Sequence, residues 1–228
     1  MSGISLWFLN SNITLSYVIA RICASIFSVF IILPLIEISH IWLSHIFSGR
    51  KFDIRDYPFL EFFNPLGAIF LLVFGYGFAK KFPYFVSEPE NRSEYVFVHL
   101  IGPISSFCFA IIIGMILRLF TIVESVNNFS FPWIRDFLSS LVNINVILTS
   151  VNIMPIPPLD GFKICEAFFP KRYWQKHGRN YLFLYLFLSI LFISGLFDVP
   201  FGIIEFAVYF SATAIANIPF NIFSGFMR

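Results

Sequence analysis

The amino-acid sequence predicts an all-α polytopic membrane protein, with about five spanning helices and one re-entrant or sheet-like segment in a single domain over residues 1–228. Two observations carry that prediction. Of the 228 residues, 58% are hydrophobic, 33 are Phe and only 12% are charged, where a soluble domain carries about 25% charged residues. The mean hydropathy is +0.82. The apolar residues are also gathered into stretches near the roughly 20 residues that cross a bilayer, divided by short polar connections. The net charge of +2 is too small for a polyanion-binding surface, so no nucleic-acid partner is expected and the basic residues report topology.

Along the chain, the first core helix is expected at about 15–48. It is too long for one straight crossing, so it projects or tilts, and Pro34 is expected to kink it ahead of Glu37, Ser39, His40, Ser44 and His45. A charged connection at 49–56 follows. Residues 58–80 are apolar but interrupted by Pro65, Gly67, Gly75 and Gly77 and closed by Lys80-Lys81-Phe82-Pro83, a pattern of re-entrant or sheet-like backbone buried in protein. A polar loop at 81–94 leads to a second core helix at about 95–120, with Gly102-Pro103 near its start. A polar connection at 121–136 leads to a third at about 137–160. Beyond a basic stretch at 163–179, two C-terminal helices are expected at about 181–196 and 201–218. Cys23, Cys108 and Cys165 are too widely spaced for a disulfide framework. The first charge is Arg21, so no basic n-region and hence no cleaved signal peptide is expected.

The charge distribution chooses between two topologies. If 58–80 is re-entrant, six Lys/Arg between Arg50 and Arg92 and five between Lys163 and Arg179 lie on one side, against Arg118 and Arg135 opposite. If that segment spans, the split is much weaker. The positive-inside rule favours the re-entrant form with both basic loops cytoplasmic, and an integral membrane protein with its polar site toward the cytoplasm.

Residues 152–161, Asn-Ile-Met-Pro-Ile-Pro-Pro-Leu-Asp-Gly, end the third core helix. Three prolines remove backbone donors, and Asp160 is a carboxylate on broken backbone at membrane depth, costly without a partner. An ordinary turn in water is the plain alternative. With the re-entrant topology, Glu37, His40 and Asp160 reach one depth, as a metal or proton site requires. A small proton-coupled transporter would explain these acids too, but not the further pattern.

That pattern resembles the site-2 protease family of intramembrane zinc metalloproteases in its compact bacterial form. Asn152, Pro155, Asp160 and Gly161 match the family's Asn-x-x-Pro-x-x-x-x-Asp-Gly motif. Residues 74–80, Phe-Gly-Tyr-Gly-Phe-Ala-Lys, resemble its Phe-Gly-Trp-Ala-Lys segment with an insertion, and residues 64–67, Asn-Pro-Leu-Gly, its Asp-Pro-Leu-Gly stretch. Gly102-Pro103 is similar to the opening of its middle helix. The resemblance implies Glu37 as general base, His40 and Asp160 as zinc ligands, Asn152 as a substrate-facing donor, and transmembrane segments of other proteins within the lipid bilayer as partners. It also exposes a departure. The family's His-Glu-x-x-His helix places two imidazoles four residues apart on one face, but Ile36 stands where the first His belongs.

A catalytic zinc site uses three protein ligands and an open position, and here the motif supplies two. Proteolysis is therefore expected to be impaired or lost, with retention of a role in binding transmembrane segments. The alternative is an active zinc protease with an unusual ligand set. His45 lies about 140° round the helix from His40 and reads as a surface histidine. His99 reaches the site only if packing of the middle helix aims it there. Taking Glu37 as a ligand would remove the water's activator.

Overall fold

The first helix starts where Thr14 caps it, its Oγ1 accepting from the Tyr17 N–H at 3.2 Å and satisfying one of the orphan donors of a helix start. A computed structural model describes the chain at residues 14–85, 92–127, 131–155 and 159–168, with 202, 203, 206, 207, 210 and 211. Helix α1 (Leu15–Phe27) passes through a π-helical segment (Ser28–Ile32) into α2 (Leu33–Phe47). Pro34 offers no N–H to the carbonyl four residues back and would crowd it, and the discontinuity expected there takes the form of this widened turn. The 33-residue stretch rises about 50 Å, well beyond the roughly 30 Å of hydrocarbon.

Among the described residues, helix α4 (Arg92–Asn127) and helix α5 (Pro132–Ile153) complete the three helices long and apolar enough to cross a membrane. Their faces are sorted for lipid. Leu15, Ile19, Ile22 and Ile26 on α1 and Ile112, Ile116, Leu119 and Val123 on α4 are exposed, each set at 4-3-4 spacing and so on one helix face. In water these stripes would form large apolar patches; against acyl chains they are an ordinary surface. An integral membrane protein is the class that accounts for them. Helix α5 is the centre of the packing: residues 144–151 are all buried, and it lies against α4 and α1, while α2 lies against α4. Ile36 joins Leu33, Leu71, Leu141, Ile144 and Leu148 in one apolar cluster.

Between α2 and α4 the chain forms short 3-10 turns at Ile54–Asp56 and Phe59–Phe62 and then helix α3 (Pro65–Phe74). Asn64 caps α3, its Oδ1 accepting from the N–H groups of Leu66 at 3.0 Å and Gly67 at 3.3 Å, and Gly75 ends it at φ 81°, the left-handed conformation that glycine adopts without strain. The chain then returns from Tyr76 to Tyr84 without helix or strand. Among the described residues there is no strand, so the sheet-like half of the expectation fails. Pro58, Pro65 and Pro83 interrupt ladder donors, and the two arms of the segment meet through a backbone bond, Lys80 N–H to the Phe62 carbonyl at 2.8 Å. At Gly67 a Cβ would fall on the Phe78 carbonyl oxygen, so the glycine lets α3 lie directly against the returning chain. That contact carries residues 76–84 to the mouth of the site.

After α5 the proline-rich break leads into helix α6 (Asp160–Glu166), packed on α4 and α5. The three core helices expected at 15–48, 95–120 and 137–160 correspond in position to α1–α2, α4 and α5. The helix expected at 181–196 lies outside the described residues, and only scattered residues of the one expected at 201–218 are described.

Candidate functional site

Four elements converge on one buried point. Helix α2 brings Glu37 and His40, α4 brings His99, α6 begins with Asp160, and the returning chain brings Lys81 and Tyr84. His40, His99, Glu37 and Asp160 are all buried. The Asp160 Oδ2 lies 3.4 Å from His40 Nε2, and its Oδ1 lies 3.6 Å from His99 Nδ1 and accepts from Lys81 Nζ at 3.1 Å. Asp160 sits past the end of α5, where burial pushes its carboxyl up; Lys81, then His40 and His99 outweigh that effect and hold it well below the usual carboxylate range. It is an anion at neutral pH.

Each imidazole is oriented by its surroundings. His40 Nδ1 lies at 2.5 Å from the Val98 carbonyl oxygen. A carbonyl can only accept, so Nδ1 carries a proton; Nε2 is the atom directed at Asp160, donating to it when protonated and free to bind a metal when not. The ring of His99 is flanked by Tyr95, with centroids 4.6 Å apart, and by Tyr84 at 5.5 Å. Tyr84 in turn stacks on His40 at 5.5 Å. The backbone of α4 passes close at Gly102, where a Cβ would fall on His40 Nε2 and come within 2.8 Å of Asp160 Oδ2.

Glu37 stands one turn before His40, its Oε1 accepting from the Tyr84 hydroxyl at 2.8 Å and from the Phe82 N–H at 3.3 Å. Burial, and then the Glu37 carboxylate it faces, push the Tyr84 phenol well above its ordinary 10, so Tyr84 donates at any physiological pH. Glu37, His40, Lys81, Asn152 and Asp160 line one cleft with Leu33 and Ile36. Its free volume is about 40 Å³, room for one or a few waters.

The structure thus brings Glu37, His40 and Asp160 together and sets Asn152 on the wall of the same cleft. It places Ile36 on that wall as part of the apolar cluster. His45 is not a surface histidine: it is buried, its Nδ1 2.9 Å from the Ile41 carbonyl, with its ring against Phe52, Tyr57 and Phe85. Packing does aim His99 into the site. Lys81 and Tyr84 were not singled out by the sequence, because a lysine and a tyrosine in a polar loop carry no spacing signal until the loop folds back.

The donor set suits the zinc that the family resemblance implies. Two ligand atoms each about 2.0–2.1 Å from a tetrahedral ion lie about 3.4 Å apart. Here one nitrogen from each of His40 and His99 and one oxygen of Asp160 all lie within 4.8 Å of one another; His40 approaches Oδ2 at 3.4 Å and His99 approaches Oδ1 at 3.6 Å. His99 Nδ1 is moreover a buried nitrogen without a hydrogen-bond partner, a costly state that a bound cation would relieve.

Fold and site together define an integral membrane protein with histidines and carboxylates gathered inside a helical core. Over 168 residues, 70% of this chain, it is 27% identical to the Bacillus subtilis (strain 168) protein named "Putative zinc metalloprotease YwhC", whose length the match covers to 75%. The resemblance carried by the sequence motifs is borne out by that relative. No protein-family model and no solved structure matches the chain.

Proposed function

We propose that the protein is an intramembrane metallopeptidase that hydrolyses peptide bonds in transmembrane segments of other membrane proteins. The observation that carries this reading is the meeting of Glu37 and His40 with Asp160, more than a hundred positions away in sequence, in a buried cleft that Asn152 also lines. The zinc-metalloprotease description of the Bacillus relative supports the same chemistry. The impaired-activity reading rested on the missing donor at Ile36. A second histidine nitrogen beside Asp160 favours the active alternative.

A zinc ion held by His40 and Asp160 with a third donor would supply the Lewis acidity that peptide hydrolysis needs. The chain's own residues do the rest. Glu37 takes a proton from the attacking water as its oxygen bonds to the scissile carbonyl carbon, and delivers that proton to the amine nitrogen as the C–N bond breaks. Tyr84 and the Phe82 N–H hold the Glu37 carboxylate in place. The Val98 carbonyl fixes the His40 tautomer. Asn152 offers an amide to the substrate backbone. The chain at 81–84 touches both Asp160 and Glu37.

Glu37→Gln tests the reading, since it keeps shape and removes the base. Purified variant should retain zinc while cleavage of a transmembrane reporter peptide falls about 10²–10⁴-fold, the usual span of general-base catalysis. Wild-type protein with a full equivalent of zinc and no cleavage of any of a panel of transmembrane peptides would instead support the binding-only reading. Cleavage undiminished by Glu37→Gln would remove Glu37 from the mechanism.

A further inference from the structure

Position 36 cannot serve a metal: Ile36 has no lone pair, and its side chain is committed to the apolar cluster with Leu33, Leu71, Ile144 and Leu148. His99 meets each requirement that Ile36 fails. It is buried, and its Nδ1 lies 3.6 Å from Asp160, a separation two ligands of one tetrahedral ion would have to within about 0.3 Å. That atom has no hydrogen-bond partner, whereas buried ring nitrogens otherwise find one. Tyr95 and Tyr84 hold the ring in place. The same turn of α4 supplies the Val98 carbonyl that orients His40 and the Gly102 gap into which His40 fits.

We infer that His99 is the third protein ligand of the metal site, supplied by α4 in place of the residue that α2 does not offer at position 36. The inference rests on the metallopeptidase reading and names the ligand that completes it. Its consequence is architectural: a metal held by His40, His99 and Asp160 would tie α2, α4 and α6 together. The charged group facing this point is Lys81, on Asp160 at 3.1 Å. Its side chain is 45% exposed, and its flexible stem lets the ammonium swing toward water as a cation enters.

The test is metal content and cobalt spectroscopy on the full chain in detergent, with His45→Ala as the comparison. Wild type and His45→Ala should each hold one zinc per chain, and His99→Gln should lose affinity by at least about 100-fold, beyond what loss of an outer hydrogen-bond partner does. His99→Cys guards against mere misfolding. Loaded with cobalt(II), it should gain the near-ultraviolet thiolate-to-cobalt charge-transfer absorption that only a directly bound sulfur produces. Zinc at unchanged affinity in His99→Gln, or cobalt bound to His99→Cys without that absorption, would overturn the ligand assignment and leave the proposed function standing. Wild type that takes up no zinc at all would overturn both.

Discussion

At the scale of single residues, the site depends on atoms that are absent as much as on those present. Gly102 is the clearest case. A methyl group there would fall on His40 Nε2 and lie 2.8 Å from Asp160 Oδ2, and neither group can retreat, because His40 is held at Nδ1 and Asp160 is buried. Gly102→Ala is therefore expected to abolish zinc binding while leaving the apolar helix contacts intact, which metal analysis alongside a thermal unfolding curve would establish. Normal zinc content in that variant would contradict the described packing of α4 on α2. Lys81 works in the opposite sense. One positive charge beside a dication's site, at near-aqueous screening, opposes binding by on the order of 1 kcal/mol, so Lys81→Met should raise zinc affinity about fivefold, as read by competition with a chromophoric chelator. A fall in affinity would show Lys81 to be a support for Asp160 rather than a competitor.

At the scale of elements, what the sequence disclosed and what it withheld have separate physical causes. The three long apolar helices were legible because length and apolarity are properties of one stretch of chain, and Asn152 through Asp160 because fixed spacing within one segment survives without a fold. His99 was not legible. Its approach to Asp160 depends on the rotation of α4 about its axis and on the gap at Gly102, and neither is written in local spacing. The sheet-like half of the expectation for 58–80 failed for a related reason: its glycine and proline breaks suit irregular buried backbone of either kind, but a strand needs a partner, and here Gly67 lays a helix against the returning chain instead. Helix phase also yields a test. Ile36 and His40 lie four residues apart and thus on one face of α2, and both line the cleft. In a His99→Gln background, Ile36→His should restore zinc to about one equivalent. In the wild-type background the same change should add no zinc and should lower stability by about 1–3 kcal/mol, because a polar ring replaces a buried aliphatic side chain. Failure of the double variant to recover metal would mean that position 36 does not share the face of His40.

At the scale of the whole molecule, the open choice is which side of the membrane the site faces and whether α3 crosses. Ten residues of α3 rise about 15 Å, half the hydrocarbon thickness, and the chain just before α3 is joined to the chain after it by the Lys80–Phe62 backbone bond. Two arms so bonded are expected to enter from one side. The charge count argues for the same side being cytoplasmic, with eleven Lys/Arg in the two basic loops against Arg118 and Arg135 opposite. Single cysteines can decide it, in a chain whose Cys23, Cys108 and Cys165 are first changed to Ala. Asp53→Cys and Arg92→Cys, on either side of the re-entrant segment, should both be shielded from a membrane-impermeant maleimide in intact cells and react once the cells are opened. Asn128→Cys, in the connection between the second and third core helices, should react in intact cells. Labelling of Asp53→Cys and Arg92→Cys from opposite sides would show that the segment crosses. A helix as short as α3 could then do so only where the bilayer is thinned around it, and the chain from Lys81 to Tyr84 would have to reach Asp160 and Glu37 from the outer face.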